Sequence, residues 1–204
     1  MASNVSAEPA LDDIELPSDL AETVRRVGDR DEPPATLGEC FAVFETVLDD
    51  QGVALALPDM YQSHRTRHAV GVDGTVEFVP CVLDALIVAL SVEADPVGVR
   101  SSPPAGGPTV DFEVDGGSVS VAPETAVLSF GVAHEDARGG VTRVKDTLAE
   151  ESAIPATCTY INAFPDRSAY EEWAADVEDA AVMGLGLPEI AAVARRGAEQ
   201  YREA

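Results

Sequence analysis

The chain has 204 residues, 46% of them hydrophobic, so it is long enough to bury the core of one large domain. Its 37 acidic residues outnumber 13 basic ones, and the net charge of −24 argues against a nucleic-acid partner. No stretch approaches the roughly 18 apolar residues of a membrane span, and the N-terminus is acidic, unlike a signal peptide, so we expect a cytoplasmic protein without a membrane partner.

The basic residues are unusual in kind, because 12 are arginine and Lys145 is the one lysine. The acidic residues are spread along the whole chain instead of forming a tail. Dense surface carboxylates keep a protein soluble in concentrated salt. The composition therefore predicts a halophilic protein whose acidic surface is solvated, in preference to an acidic binding face.

The N-terminal third predicts helices after a flexible leader over residues 1–17. One short helix follows Ser18 as its cap, and a second follows a capping box of Thr36 and Glu39. Cys40 lies on the apolar stripe of this second helix, where a small buried residue is expected. With the hairpin that follows, residues 18–69 resemble a winged helix-turn-helix, but residues 1–60 carry 14 acidic residues against 3 arginines, which excludes DNA reading.

Residues 70–204 alternate strand and helix patterns, which predicts an α+β core with a mixed or antiparallel sheet and flanking helices. Turn signals at Asp73-Gly74 and at residues 115–117 each predict a hairpin. Further strands are expected over 125–133 and 156–164, and helices over 81–93 and 139–152. Two closing helices are expected, the first opening with a capping box of Ser168 and Glu171 and the second at Pro188.

The stretch FVPCVLDALIVAL, residues 78–90, places Cys81 and Asp84 in an otherwise apolar run. At the start of a helix, unpaired N–H groups should lower the pKa of the Cys81 thiol. Asp84 lies at i+3 on the same face, and burial without a neighbouring cation should raise the pKa of its carboxyl, which suits a proton carrier. Alternatively, Cys81 fills the core and Asp84 merely complements the helix dipole.

The third cysteine, Cys158, lies in ATCTYINAF, where strand alternation places it on one face with Tyr160 and Asn162. Taken alone, it is expected to be a buried core residue. Three widely spaced cysteines without a C-x-x-C pair make a disulfide framework or a structural zinc site improbable.

Together these segments resemble the organomercurial lyases, also called alkylmercury lyases. The resemblance rests on RHAVGVDGTVEFVPCVLDAL, on CTYINAF beginning 77 residues after Cys81, and on YEEWA with Trp173, and it covers roughly residues 65–180. Enzymes of this family carry Cys-x-x-Asp at a helix start after a Val-Asp-Gly turn, and a second cysteine on a late strand before a tryptophan-bearing helix. The conjunction of these features is more specific than Cys-x-x-Asp alone.

The resemblance implies that Cys81 and Cys158 bind mercury and that Asp84 shuttles the proton, with all three holding the Hg(II) product. It implies no organic cofactor, free thiols as cosubstrates that remove Hg(II), and a mercuric reductase as a candidate recipient. The chain departs from the family at Pro80, where an aromatic residue is common, and at Thr159, where many relatives have cysteine. Ser101 or Ser102 lies near the position of a further, non-catalytic cysteine of the family.

The implied chemistry suits these residue types. Mercury is soft and prefers thiolates, and two sulfurs donating to one mercury weaken its bond to carbon. Cleavage then needs a proton on that carbon, a general-acid role for Asp84. One mercury held by both cysteines would place their sulfur atoms roughly 4–6 Å apart.

Two other classes of protein remain open at this point. The first is a non-catalytic binder or sensor of Hg(II) or Cu(I), which needs both thiols but no proton donor. The second is a thiol redox protein in which Cys81 and Cys158 form a reversible disulfide. Asp84 is the residue that distinguishes a lyase from a binder.

Overall fold

The computed structural model describes residues 9–50, 56–94, 96–134 and 158–202. It has an α+β fold, as predicted, with two antiparallel sheets. The helices are α1 (Ser18–Val27), α2 (Leu37–Asp50), α3 (Val82–Ser91), α4 (Arg167–Ala175) and α5 (Leu187–Arg202). The strands are β1 (His68–Val72), β2 (Thr75–Val79), β3 (Val97–Ser101), β4 (Val110–Asp115), β5 (Ser118–Ala122), β6 (Val127–Ala133), β7 (Ala163–Phe164) and β8 (Ala180–Leu185).

The larger sheet has the strand order β2-β1-β3-β4-β5, and the smaller one has the order β7-β6-β8. Both predicted hairpins are present in the larger sheet. Asp73 and Gly74 have φ values of 49° and 78°, and Gly116 and Gly117 have 54° and 76°. Two consecutive residues with positive φ form the turn that matches the twist of a tight hairpin, which explains the glycines.

Helix α3 packs against β1 and β3 of the larger sheet on one side and against α5 on the other. All of its residues except Asp84 and Ser91 are buried. A helix that is apolar all round is stable only when it is enclosed by other elements. One hydrophobic core runs from α3 into both sheets, so the start of this helix has a fixed position between them.

Several predicted elements were wrong in detail. Residues 156–164 do not form one strand: Cys158–Tyr160 is a 3-10 turn, and pairing starts at β7. Strands β3 and β8 were missed; β8 reads AAVMGL, and its alanines and glycine have low strand propensity. The helix predicted over 139–152 lies outside the described residues.

The predicted helix caps also need correction. Pro17, not Ser18, is the N-cap of α1, and no side chain caps it. Asp166, not Ser168, caps α4, accepting the N–H of Ala169 at 2.9 Å, because a carboxylate there satisfies a free donor. The Thr36 cap of α2 is confirmed, since its hydroxyl accepts the N–H of Glu39 at 3.2 Å.

The division into leader, winged-helix-like region and catalytic core stays a prediction. Within the predicted leader, the carbonyl of Ile14 accepts the N–H of Leu37 at 2.8 Å, and the N–H of Leu16 donates to Ala35 at 2.9 Å. In the part of the chain that is described, no helix is long and apolar enough to cross a membrane.

Candidate active site

Cys81 is the N-cap of α3. Its backbone is extended, with φ −142° and ψ 168°, and its Sγ accepts the N–H of Asp84 at 3.4 Å. The sulfur thus occupies the place that a serine or threonine oxygen usually takes at a helix start. The residue is only 1% exposed, so Cys81 lies at the bottom of the site.

Asp84 lies between the two cysteines. Its Oδ2 accepts from the thiol of Cys81 at 3.2 Å and from that of Cys158 at 3.5 Å. One ligand atom from each residue, two sulfurs and a carboxylate oxygen, lie within 4.8 Å of one another. The sulfur atoms therefore stand at the separation expected for joint binding of one metal ion.

Cys158 opens the 3-10 turn Cys158–Tyr160, whose first carbonyl accepts the N–H of Ile161 at 3.2 Å. The hydroxyl of Tyr160 donates to Asp179 at 2.7 Å, which fastens the far end of the turn beside β8. Cys158 and Asp84 are both partly exposed, whereas Cys81 is buried. Among the described residues, Cys158 and Asp84 therefore form the more exposed side of the cluster.

The electrostatics of the site follow mainly from burial. Desolvation raises the pKa of the Asp84 carboxyl, and hydrogen bonds from both thiols and from the backbone of Cys81 oppose this rise. Burial also raises the pKa of the Cys81 thiol well above its usual value, and Cys158 and the charge of Asp84 add to the rise. The expectation of a lowered Cys81 pKa was therefore wrong, because desolvation outweighs the N–H of Asp84 at the helix start.

Cys40 lies on α2, fully buried as predicted, and burial raises the pKa of its thiol to about 12. It does not belong to the cluster of Cys81, Asp84 and Cys158. Ser101, near the position of the family's further cysteine, is buried on β3 and hydrogen-bonds to Nδ1 of His68 at 2.9 Å. Neither residue joins the site.

Sequence reasoning missed Asn162 and Arg67, whose side chains meet beside the Cys158 turn at 3.1 Å. The alternation in the sequence places Asn162 only on the predicted strand face of Cys158 and assigns it no role. A signal existed, because an amide within the apolar run YINAF is costly to bury unless it is hydrogen-bonded. No comparable signal marks Arg67, which is one of 12 arginines.

Two buried or partly buried thiols that share one carboxylate oxygen suit a soft metal and a proton transfer at the same point. A family model described as alkylmercury lyase, MerB, matches residues 62–199, which include all three residues of the cluster. This chain belongs to the alkylmercury lyase family. The resemblance drawn from the sequence is thereby confirmed.

The fold of this alkylmercury lyase agrees with a solved structure described as the mercury-bound form of MerB2. The two chains are 13% identical and superpose with a TM-score of 0.51, over 91% of this chain and 93% of the other. At this identity the likeness concerns the fold, including the elements that precede residue 62. No curated protein matches the chain in a sequence comparison.

Proposed function

We propose that this alkylmercury lyase cleaves the carbon–mercury bond by protonolysis, with Cys81 and Cys158 as the mercury ligands and Asp84 as the proton carrier. The observation that supports these roles is the position of Asp84 Oδ2, 3.2 Å from one sulfur and 3.5 Å from the other. A single oxygen can take a proton from either thiol and remains beside any mercury that the sulfurs hold.

The exposure of the residues suggests an order of events. The substrate R–Hg–X first meets Cys158, which is partly exposed. A sulfur–mercury bond forms, X⁻ leaves, and the thiol proton passes to the Asp84 carboxylate. The raised pKa of Asp84 favours this protonated form in the site.

Cys81, the buried thiol, forms the second sulfur–mercury bond. Its raised pKa keeps it a thiol until mercury takes the place of its proton, so no uncompensated thiolate is buried. As the second sulfur–mercury bond forms, Asp84 delivers its proton to carbon and receives that of Cys81. The carbon–mercury bond breaks to R–H, and the remaining proton balances the displaced X⁻.

The product is Hg(II) bound by both sulfurs, with an Asp84 oxygen as a further ligand. Free thiols then remove the metal, and a mercuric reductase is the proposed recipient. This sequence of steps requires no organic cofactor. We also propose a cytoplasmic setting in a halophile, which is supported by the net charge of −24 and its dispersal along the chain.

The test is to incubate the protein with methylmercury and excess thiol in concentrated KCl and to measure methane by gas chromatography. Methane should form with the parent and with Cys40→Ala, which removes a thiol outside the cluster, but not with Cys158→Ser. If the folded parent binds Hg(II) tightly yet releases no methane above a heat-denatured sample, the protein is a soft-metal binder and the lyase proposal fails.

A further inference from the structure

Asn162 is fully buried, and all of its polar groups are used. Its backbone N–H donates to the hydroxyl of Ser129 at 3.0 Å, and its carbonyl accepts the N–H of Ser129 at 2.9 Å. Its side-chain Nδ2 donates to the carbonyl of Thr159 at 2.8 Å, and its Oδ1 accepts from Arg67 at 3.1 Å. The residue thus joins β6, the Cys158 turn and the segment before β1.

The bond from Nδ2 bears directly on the direction of Cys158. Thr159 follows Cys158 in a three-residue turn, before the chain pairs with β6 at β7. A short 3-10 turn has few hydrogen bonds of its own, so the side-chain bond to Thr159 strongly limits its orientation. This orientation decides whether the Cys158 sulfur points at Asp84.

Arg67 connects the same amide to the Cys81 side of the site. The neighbouring Thr66 hydroxyl lies 2.7 Å from the carbonyl of Val79, two residues before Cys81, and the carbonyl of Arg67 accepts the N–H of Ser102 at 2.9 Å. The Arg67–Asn162 hydrogen bond therefore links the Cys158 turn to residues 66–67, and Thr66 is in turn bonded to the end of the strand that leads to Cys81.

A glycine allows the turn to lie close to the sheet beneath it. A Cβ at Gly131 on β6 would come within 2.9 Å of the Tyr160 Cβ and within 2.6 Å of Val182. Such distances force a shift of the surrounding atoms. The Cys158 turn therefore has contact with β6 below it and with Asn162 beside it.

We propose that Asn162 and Arg67 are positioning residues that set the separation of Cys81 and Cys158, so that both sulfurs capture the same mercury. Neither residue is assigned a contact with the substrate; each acts through the Cys158 turn. This inference rests on the proposed function, because capture of one mercury by both sulfurs matters for the cleavage. The binding of Hg(II) by two sulfurs can nevertheless be measured without any cleavage.

Arg67 is a better site for a substitution than the buried Asn162. It is exposed, so its side chain can be removed without leaving a cavity in the core. Arg67→Ala should lower the melting temperature only moderately, because it leaves the buried Oδ1 of Asn162 without its donor but keeps the packing of the core. Arg100→Ala is the matched control, since Arg100, on β3, is likewise exposed and its side chain hydrogen-bonds to Asp111 at 2.7 Å. Asn162→Asp is the second variant: it keeps an acceptor for Arg67 but loses the donor to Thr159.

The readout is the affinity for Hg(II) alone in competition with a small monothiol, together with the ultraviolet absorbance of mercury bound by two thiolates. We expect Arg67→Ala and Asn162→Asp to lose affinity by about 10–100-fold, the range typical when partners that orient metal ligands are removed. Arg67→Lys should recover part of the loss, and Arg100→Ala should match the parent. Parental affinity and absorbance in both Arg67→Ala and Asn162→Asp would overturn the proposal.

Methane release separates this proposal from the proposed function. If the parent binds Hg(II) with two sulfurs but forms no methane, the lyase proposal fails while the positioning role is still decided by the affinities. If the parent forms methane and both Arg67→Ala and Asn162→Asp keep the parental rate as well as the parental affinity, the positioning role fails and the lyase function stands.

Discussion

Asp84 is an ionisable residue on α3, and the residues next to it on this helix are apolar and buried. Its hydrogen bonds to two thiols explain how the carboxyl group is tolerated there. Burying an unpaired carboxylate is costly, and hydrogen bonds from Cys81 and Cys158 reduce that cost. The bonds oppose the effect of burial but do not cancel it, so the pKa of the carboxyl remains raised. A carboxyl with such a raised pKa suits the proposed role of accepting and releasing a proton within one reaction cycle.

Asp84→Asn tests this role by replacing the carboxyl group with an amide. The amide keeps the volume and both thiols but removes the exchangeable acid. Hg(II) should still bind, while methane release should fall by about 10²–10⁴-fold, as is typical for the loss of a positioned acid–base group. Single-turnover methane release and Hg(II) titration of the same preparation provide the measurement. Cleavage at the parental rate would refute the proton-carrier role.

The buried imidazole of His68 should make the free energy of unfolding depend on pH. It is 1% exposed, and burial, with a smaller effect of the Arg67 charge, lowers the pKa of its imidazole from 6.5 to about 4. Between these values the unfolded chain binds the proton and the folded chain does not, so the free energy of unfolding decreases as the pH falls from about 6.5 to about 4. At higher pH both states are neutral and the contribution is constant.

The parent should therefore lose about 2–3 kcal/mol more than His68→Gln between pH 7 and pH 4.5, because glutamine does not titrate. Urea unfolding of both proteins at the two pH values measures the difference. Comparing the two proteins cancels the titration of the many surface carboxylates. Equal losses in parent and variant would show that His68 does not carry this dependence.

At the scale of elements, one sulfur serves two purposes. The sulfur of Cys81 accepts the otherwise unpaired N–H of Asp84 at the start of α3, and the Cys81 thiol also donates to Asp84 Oδ2. Because α3 is enclosed by the larger sheet and α5, the position of the Cys81 sulfur is determined by the packing of the whole helix. The thiol of Cys158 lies on a short turn instead, so one thiol of the cluster is held by a helix and the other by a turn that a side-chain hydrogen bond orients.

Cys81→Ser separates the role of Cys81 as a helix cap from its proposed role as a mercury ligand. Serine is a good N-cap, so the free energy of unfolding should change by no more than about 1 kcal/mol, while the hydroxyl has little affinity for a soft metal. Hg(II) binding by two thiolates and methane release should both be lost. Cys40→Ser is the control that buries a hydroxyl away from the site: it should lower stability but keep Hg(II) binding. Two-thiolate absorbance in Cys81→Ser would contradict the assignment.

At the scale of the whole molecule, the net charge of −24 is the dominant feature. The ion pairs of Glu22 with Arg25 and Arg26, of Arg100 with Asp111 and of Arg196 with Glu45 lie at the surface. Exposed pairs of this kind contribute little to stability. The excess of carboxylates therefore repels itself unless salt screens it.

We expect the melting temperature to rise with KCl, most steeply below about 1 M, because the Debye length falls from about 10 Å at 0.1 M to about 3 Å at 1 M. Differential scanning calorimetry from dilute buffer to concentrated KCl measures this dependence. A rise that appears only above that range would indicate a general salt effect on apolar burial instead. A melting temperature independent of KCl would contradict the halophilic proposal.

Local patterns determined several features of this protein from the sequence alone. The Asp73-Gly74 turn, the apolar helix α3 and the i+3 spacing of Cys81 and Asp84 all depend on residues within a few positions of one another. Backbone preferences and helical periodicity act over this range, so the sequence was sufficient. The resemblance in these motifs also led to the correct family.

Only the tertiary structure decided how the site is completed. The approach of Cys158 to Asp84 joins residues 74 positions apart. Cys158–Tyr160 forms a 3-10 turn, to which the side chain of Asn162 hydrogen-bonds, where alternation predicted a strand. The pKa of Cys81 rises because desolvation by surrounding elements exceeds the effect of one nearby N–H. Burial and long-range hydrogen bonds depend on which elements pack together, and single-sequence periodicity carries no information about that packing.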